Sequence, residues 1–215
     1  ELQPIKTLEA AQNRNVPYRY SVSPHNFEKI PGMPIAYWVS EKVIDCFENR
    51  TLGELYDIKL GISPGNTDYF LRLWHEVSYK NLSINKKSNK FKWYPCNKGG
   101  NYNKWYGNRE YIINWENNGF EIKNYKDENG KLLSRPQNLN YQFLEHIAWS
   151  RITSSKIAFR YFESGFIFTD SSAGIFNSDK KYYILAYTNS KICNILLEII
   201  NPTLNYQVGD ISKLP

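Results

Sequence analysis

The sequence predicts a mixed α/β domain of the α+β kind, with a twisted mixed or antiparallel sheet, short helices and long loops. Short alternating apolar runs that read as strands are interleaved with short amphipathic stretches that read as helices. Clusters of Gly, Pro, Asn and Ser separate them, and no internal repeat is present. At 215 residues, 41% hydrophobic and 16% aromatic, the chain has enough apolar material to bury a core.

Residues 1–39 read as a proline-rich lead-in or linker, because Pro4, Pro17, Pro24, Pro31 and Pro34 each remove a donor and bias the preceding residue toward extended backbone. One short helix is expected over residues 5–12. The main domain, residues 40–215, opens with Ser40 capping a helix whose face is Val43, Ile44 and Phe47 and which ends near Asn49. Leu52, Leu55 and Ile58 carry an apolar face on to Gly61, Ser63-Pro64-Gly65-Asn66 is a turn, and residues 70–77 alternate as a strand. Strands over residues 91–95 and 111–115 flank a long loop. Asn117-Asn118-Gly119 reads as a hairpin turn and Asp127-Glu128-Asn129-Gly130 as an exposed one. Residues 157–162 and 166–168 alternate as strands joined by Glu163-Ser164-Gly165. Asn189-Ser190 caps a helix with Ile192, Ile195, Leu196 and Ile199 on its face, stopped before Pro202. Trp74, Trp115, Trp149, Tyr161, Phe166 and Phe168 fall in apolar alternation and are expected in the core.

Charge is unevenly spread. Between Lys80 and Arg109 stand eight basic side chains and no acidic one, while the rest of the chain holds 19 basic against 21 acidic residues, so this window generates the whole formal charge of +6. Codon bias in an AT-rich genome accounts for the abundance of Asn, Lys, Ile and Tyr, but not for a window without acids. Phe91, Trp93, Tyr94, Tyr102, Trp105 and Tyr106 are threaded among the cations, and Lys98-Gly99-Gly100-Asn101 allows close backbone approach to a phosphate. Unopposed cations mixed with aromatics are the footprint of a polyanion-binding surface, and double-stranded DNA is the first partner to consider. Trp105 and Tyr106, bracketed by Lys104 and Arg109, fit the base of the loop and nucleic-acid contact equally well.

Other classes find little support. No apolar run approaches the roughly 20 residues of a spanning helix, so no membrane partner is expected. The chain starts at Glu1 and stops at Pro215, which reads as an excised piece of a longer protein. Cys46, Cys96 and Cys193 are odd in number and far apart, which argues against a disulfide framework or zinc knuckle and for a reducing cytoplasm. His25, His75 and His146 are scattered, so no metal site is expected. An amine-directed DNA methyltransferase needs an Asn- or Asp-Pro-Pro-aromatic loop; Asn201-Pro202-Thr203-Leu204 lacks the second proline and the aromatic and reads as helix termination. No Gly-x-Gly cluster follows an apolar strand. Asp57-Ile58-Lys59 and Glu121-Ile122-Lys123 are chance triplets on a strand edge or turn, and no Gly-x-Ser-x-Gly occurs. No catalytic residue and no cofactor are expected in this chain, which should be inactive alone.

Gly61-Ile62-Ser63-Pro64-Gly65-Asn66-Thr67-Asp68-Tyr69-Phe70-Leu71-Arg72, then Trp74-His75-Glu76-Val77, resembles the segment after the catalytic domain in adenine-specific DNA methyltransferases of BREX-type phage-defence systems. Lys98-Gly99-Gly100, Lys104-Trp105-Tyr106-Gly107-Asn108, Asn114-Trp115-Glu116, Ser134-Arg135-Pro136, Trp149-Ser150 and Gly165-Phe166-Ile167-Phe168 continue the likeness in the same order. More broadly, Thr51-Leu52-Gly53-Glu54-Leu55 with Gly65-Asn66-Thr67 resembles the opening of a target recognition domain in type I restriction specificity subunits, and Val208-Gly209-Asp210-Ile211 its close. Residues 184–190 look like the strand and turn before that domain's last helix. The resemblance implies a target-recognition-type domain that docks on DNA and positions an upstream methyltransferase domain of the same chain. Any S-adenosylmethionine site then belongs to that upstream sequence, and other defence-system subunits join the expected partners.

On this reading Lys86, Lys87, Lys98, Lys104 and Arg109 hold phosphates, while Asn101, Asn103, Arg135, Gln137 and Asn138 read bases, with Arg72 and Arg151 in reserve. Arg suits guanine, and Asn or Gln suits adenine. Two alternatives remain: a carbohydrate-binding module, from the Trp, Tyr and Asn content, and a protein-docking scaffold within a defence complex.

Overall fold

Pro4, Pro17, Pro24, Pro31 and Pro34 leave room only for short helices at the start of the chain: α1 (Leu2–Gln12), α2 (His25–Glu28) and α3 (Glu41–Ile44), the last passing into a 3-10 turn over Asp45–Glu48. Pro4 sits in the first turn of α1, where its missing N–H costs nothing. The computed structural model describes residues 2–83, 90–154 and 156–215, and the chain divides into two units, residues 1–50 with Pro215, and residues 51–214. The helix behind Ser40 therefore lies in the first unit. There Lys29 reaches Glu48 at 2.8 Å and Asp45 at 3.7 Å.

The second unit begins at α4 (Leu52–Leu55), whose start is closed by the Glu54 carboxylate accepting from the Thr51 N–H at 3.0 Å. Ile58 does not extend that helix but sits in β1 (Asp57–Leu60). The Asn66 side chain accepts from the Tyr69 N–H and caps α5 (Thr67–Phe70), which runs into β2 (Leu71–Leu73). That strand is shorter than the alternation predicts, because the Glu76 carboxylate turns back to the Leu73 N–H at 2.6 Å and folds Trp74–Glu76 into a 3-10 turn. Trp74 is consequently exposed rather than in the core.

β3 (Trp93–Asn97) and β4 (Tyr111–Asn114) match the expected flanking strands, and α6 (Glu116–Lys123) follows. Asn117, Asn118 and Gly119 are left-handed, as their sequence implies, but they curl the start of α6 instead of closing a hairpin. The Asp127 turn forms as expected, its carboxylate accepting from the N–H groups of Asn129 and Lys131. Then come β5 (His146–Ser150), β6 (Phe159–Phe162), β7 (Ile167–Phe168), β8 (Ser172–Phe176), α7 (Lys181–Thr188), α8 (Lys191–Ile200) and α9 (Val208–Ser212).

Among the described residues the strands form two four-stranded sheets. One is antiparallel, ordered β1-β8-β5-β6, with Ala148 of β5 between Arg160 of β6 and Gly174 of β8. The other is ordered β2-β4-β3-β7, with β7 parallel to β3. Strands β6 and β7 thus belong to different sheets, and residues 163–165 do not join a hairpin. The chain crosses between the sheets at Gly61-Ile62: the Ile62 N–H donates to Phe168 and the Asp170 N–H returns to Ile62. A side chain on Gly61 would put its Cβ 2.4 Å from the carbonyl oxygens of Phe168 and Thr169, so only glycine fits this crossing.

Ile62, Phe70, Leu71, Tyr94, Cys96, Ile113, Trp115, Ile122 and Ile167 form one core around the mixed sheet. Residues 184–190, which by resemblance read as a strand and turn, instead include the end of α7, with Ile184, Leu185 and Thr188 buried; a short apolar run does not choose between the two forms by itself. Ser190 caps α8 through the Cys193 N–H as expected, yet the buried residues are Cys193, Leu196, Leu197 and Ile199. Ile192 and Ile195 face outward.

Candidate nucleic-acid interface

β6 is an edge strand, and the segment after Lys98 covers that edge. The Trp105 N–H donates to the Phe159 carbonyl at 2.9 Å, and the Tyr161 N–H donates to the Trp105 carbonyl at 3.1 Å. Pairing of this kind satisfies an otherwise open strand edge. Around Trp105 the basic window therefore runs along the sheet edge. Trp105 is held at φ 71°, an uncommon backbone for a bulky aromatic, while its ring stays 51% exposed. Tyr102 and Tyr106 on the same segment are also exposed, at 51% and 67%. A strained backbone fixed by its main chain, presenting its ring to solvent, is a feature that packing alone does not require.

At the start of this segment Lys98 and Gly100 border a cleft of about 500 Å³. Its lining includes four cations, Lys98, Arg151, Lys156 and Arg160, against one carboxylate, Asp170. Arg160 is only 1% exposed. Its Nη2 donates to the Ser150 hydroxyl at 2.9 Å, and that hydroxyl donates onward to the Gly100 carbonyl at 2.9 Å. Its Nη1 donates to the Asn103 carbonyl at 3.3 Å, and its Nε has no partner. Burial pulls the guanidinium pKa down to about 10, with the Glu110 charge opposing it. Arg151 donates to the Asp170 carbonyl and to Gln207 Oε1.

The chain matches no protein-family model. It is 36% identical over 217 residues to the adenine-specific methyltransferase PglX of Lacticaseibacillus casei (strain Zhang), an alignment covering 97% of this chain and 18% of PglX. It is 37% identical over 195 residues to the adenine-specific methyltransferase BrxX of Escherichia coli O9:H4 (strain HS), covering 89% of this chain and 16% of BrxX. This chain is similar to a segment of adenine-specific methyltransferases. It spans less than a fifth of either relative, and the matched stretches are their C-terminal parts. Among the described residues no helix is long and apolar enough to cross a membrane, and no cluster of His, Cys, Asp and Glu is arranged to hold a metal ion.

The Gly99-Gly100 pair leaves no open cradle for S-adenosylmethionine, the cofactor that the sequence resemblance implies for the parent protein. A Cβ on Gly99 would lie 2.9 Å from the Ser171 carbonyl oxygen and 3.2 Å from Ser150 Oγ, and one on Gly100 would lie 3.2 Å from Asn108 Nδ2. Both glycines back onto their own chain.

The residues chosen from sequence scatter. Lys86 and Lys87 lie outside the described residues. Lys98 lines the cleft with its Nζ 4.2 Å from the centre of the Tyr111 ring. Lys104 is turned inward, donating to the Asn189 carbonyl at 2.7 Å, and Arg109 pairs with Glu163 at 2.7 Å. Neither is free to hold a phosphate while those bonds stand. Asn101, which lines the cleft, and Asn103, which donates to Asn108 Oδ1, are exposed. Arg135 is exposed too, its backbone paired with Ser63. Gln137 and Asn138 instead donate to the carbonyls of Gly61 and Leu60, at 2.7 and 3.0 Å. Their amides clamp the sheet crossing, so the paired donor and acceptor that reads an adenine edge is not on offer. Arg72 in turn donates to its own neighbours' carbonyls, including Leu71 at 2.6 Å.

Lys156, Arg160 and Ser150 were missed. The signal lay in Phe159-Arg160-Tyr161-Phe162, where a charge interrupts an otherwise aromatic strand. A cation at a buried position of a strand needs a reason.

Proposed function

We propose that this chain is the DNA target recognition segment of an adenine-specific methyltransferase of a phage-defence or restriction-modification system. It docks on double-stranded DNA and sets the position of a catalytic domain elsewhere in the same protein, where S-adenosylmethionine binding and methyl transfer belong. One observation carries the reading: four cations around a cleft, continuous with a segment that displays Tyr102, Trp105 and Tyr106 to solvent. Cations give affinity for the phosphate backbone regardless of sequence, and exposed aromatic and polar groups beside them meet bases. Similarity to PglX and BrxX supports the same direction. Asn101, Asn103 and Arg135 are the reading side chains that remain exposed.

Labelled duplex DNA, heparin and an uncharged glycan, each titrated at about 50 and 200 mM salt, test the reading. DNA affinity is expected to fall steeply with salt and the glycan to give no signal. Binding of the glycan alone, or DNA binding indifferent to salt, overturns it. A second reading, docking onto another protein of the system, is favoured by Ile192 and Ile195, which stand one turn apart on the outward face of α8. It predicts salt-insensitive association lost on replacing those two residues with Ser.

A further inference from the structure

The cleft bordered by Lys98, Ser150, Lys156 and Arg160 has a composition that DNA docking in general does not demand. Surface lysines suffice to attract a polyanion. Here, instead, a guanidinium has been drawn into the protein at a strand position, with both of its hydrogen-bond partners neutral oxygens and Nε without one. A buried charge is tolerated when an opposite charge completes it. Lys98 and Lys156 stand on the same lining, and Lys156 is exposed. The pattern suits an anion with several acceptor oxygens, since a guanidinium and two ammonium groups are donors matched to a phosphoryl group.

We propose that this cleft is a specific site for one phosphate group, with Arg160 as its buried anchor, Lys98 and Lys156 as its rim and Ser150 holding the anchor's orientation. Its natural source rests on the DNA reading above: a single backbone phosphate, seated so that the exposed strip of Tyr102, Trp105 and Tyr106 takes a fixed register on the duplex. The site's chemistry does not depend on that source. Asp170 is the acid on the lining; its backbone carbonyl is tied to Arg151 at 2.8 Å.

The test uses the whole 215-residue chain. Thermal unfolding is followed with inorganic phosphate and, at equal ionic strength, with chloride; duplex DNA is titrated separately. Phosphate is expected to raise Tm in a saturable manner that chloride does not reproduce. The shift should vanish in Arg160→Met and weaken in Lys156→Gln. The second variant alters only an exposed side chain and keeps the test valid should the first fail to fold. Either variant is expected to lower DNA affinity several-fold and to reduce the slope of log affinity against log salt by about 1. No phosphate-specific shift, or an equal shift in the wild type and Lys156→Gln, overturns the site. If DNA binds with steep salt dependence while phosphate does nothing, the recognition reading stands and this site falls. If phosphate binds and DNA does not, the site's chemistry is upheld and its assignment to a DNA phosphate is overturned.

Discussion

Arg109 donates to Glu163 Oε1 at 2.7 Å and to the Tyr161 carbonyl at 2.9 Å, with its guanidinium carbon 4.0 Å from the centre of the Tyr106 ring. One cation thereby fastens the end of the loop to β6 and the turn beyond it. Its side chain is only 15% exposed, and it holds the Glu163 carboxyl below the usual carboxylate range. Breaking such a pair leaves a partly buried carboxylate without its partner. Arg109→Met is expected to lower stability by roughly 1 to 2 kcal/mol, measured by urea denaturation, since solvent screens the 46% exposed Glu163. A loss of DNA affinity with stability unchanged would show instead that Arg109 serves as a phosphate contact.

Arg135 presents its side chain to solvent, while its backbone pairs with Ser63. Arg135→Ala should therefore leave unfolding within about 0.5 kcal/mol of the wild type. In the recognition reading it relaxes the preference for a target sequence by roughly 1 to 3 kcal/mol at one base pair. Competition between cognate and altered duplexes measures this, and an unchanged preference removes Arg135 from the readers.

His146 is buried in β5, its ring stacked on Phe162, with Nδ1 donating to the Leu144 carbonyl at 2.9 Å and Nε2 accepting from Asn97 at 3.2 Å. Burial, first, pulls its pKa down to about 4; the Leu144 carbonyl opposes this, Arg109 reinforces it and Glu163 opposes it. The unfolded chain binds the proton more readily, so this contribution is complete above about pH 6.5 and is lost as pH falls toward 4. The loss amounts to something on the order of 3 kcal/mol. Urea midpoints at pH 7 and 4.5 should separate more in the wild type than in His146→Phe; equal separations would refute the assignment.

Gly61 gives the sharpest test of the sheet crossing. An alanine there must move two backbone carbonyls that a Cβ would meet at 2.4 Å, and Gly61→Ala is expected to cost roughly 3 kcal/mol. Its urea midpoint reports this directly, and a midpoint like that of the wild type would mean that the crossing yields freely.

Much of the architecture was legible because it is local. Ser190 caps where its side chain says it should, and the Asp127 turn follows from one carboxylate and two N–H groups. What escaped was non-local. Whether residues 166–168 pair with their neighbour β6 or with β3, seventy positions earlier, depends on long-range packing. The outward turn of Ile192 and Ile195 depends on which side of α8 packs against α7 and α9. The basic window told of charge but not of direction: Lys104 and Arg109 are drawn inward by the carbonyl of Asn189 and the carboxylate of Glu163, acceptors that no sequence window contains. Arg160 enters the cleft from a different part of the chain for the same reason.

Trp105 is tied to β6 through its own amide and carbonyl, so the track of this strip is dictated by groups common to every amino acid. A replacement at that position that accepts the same left-handed φ, asparagine above all, would swap the displayed surface without rerouting the polypeptide. Anchorage and displayed surface are written in separate chemical alphabets here, so that one can be rewritten while the other stays intact.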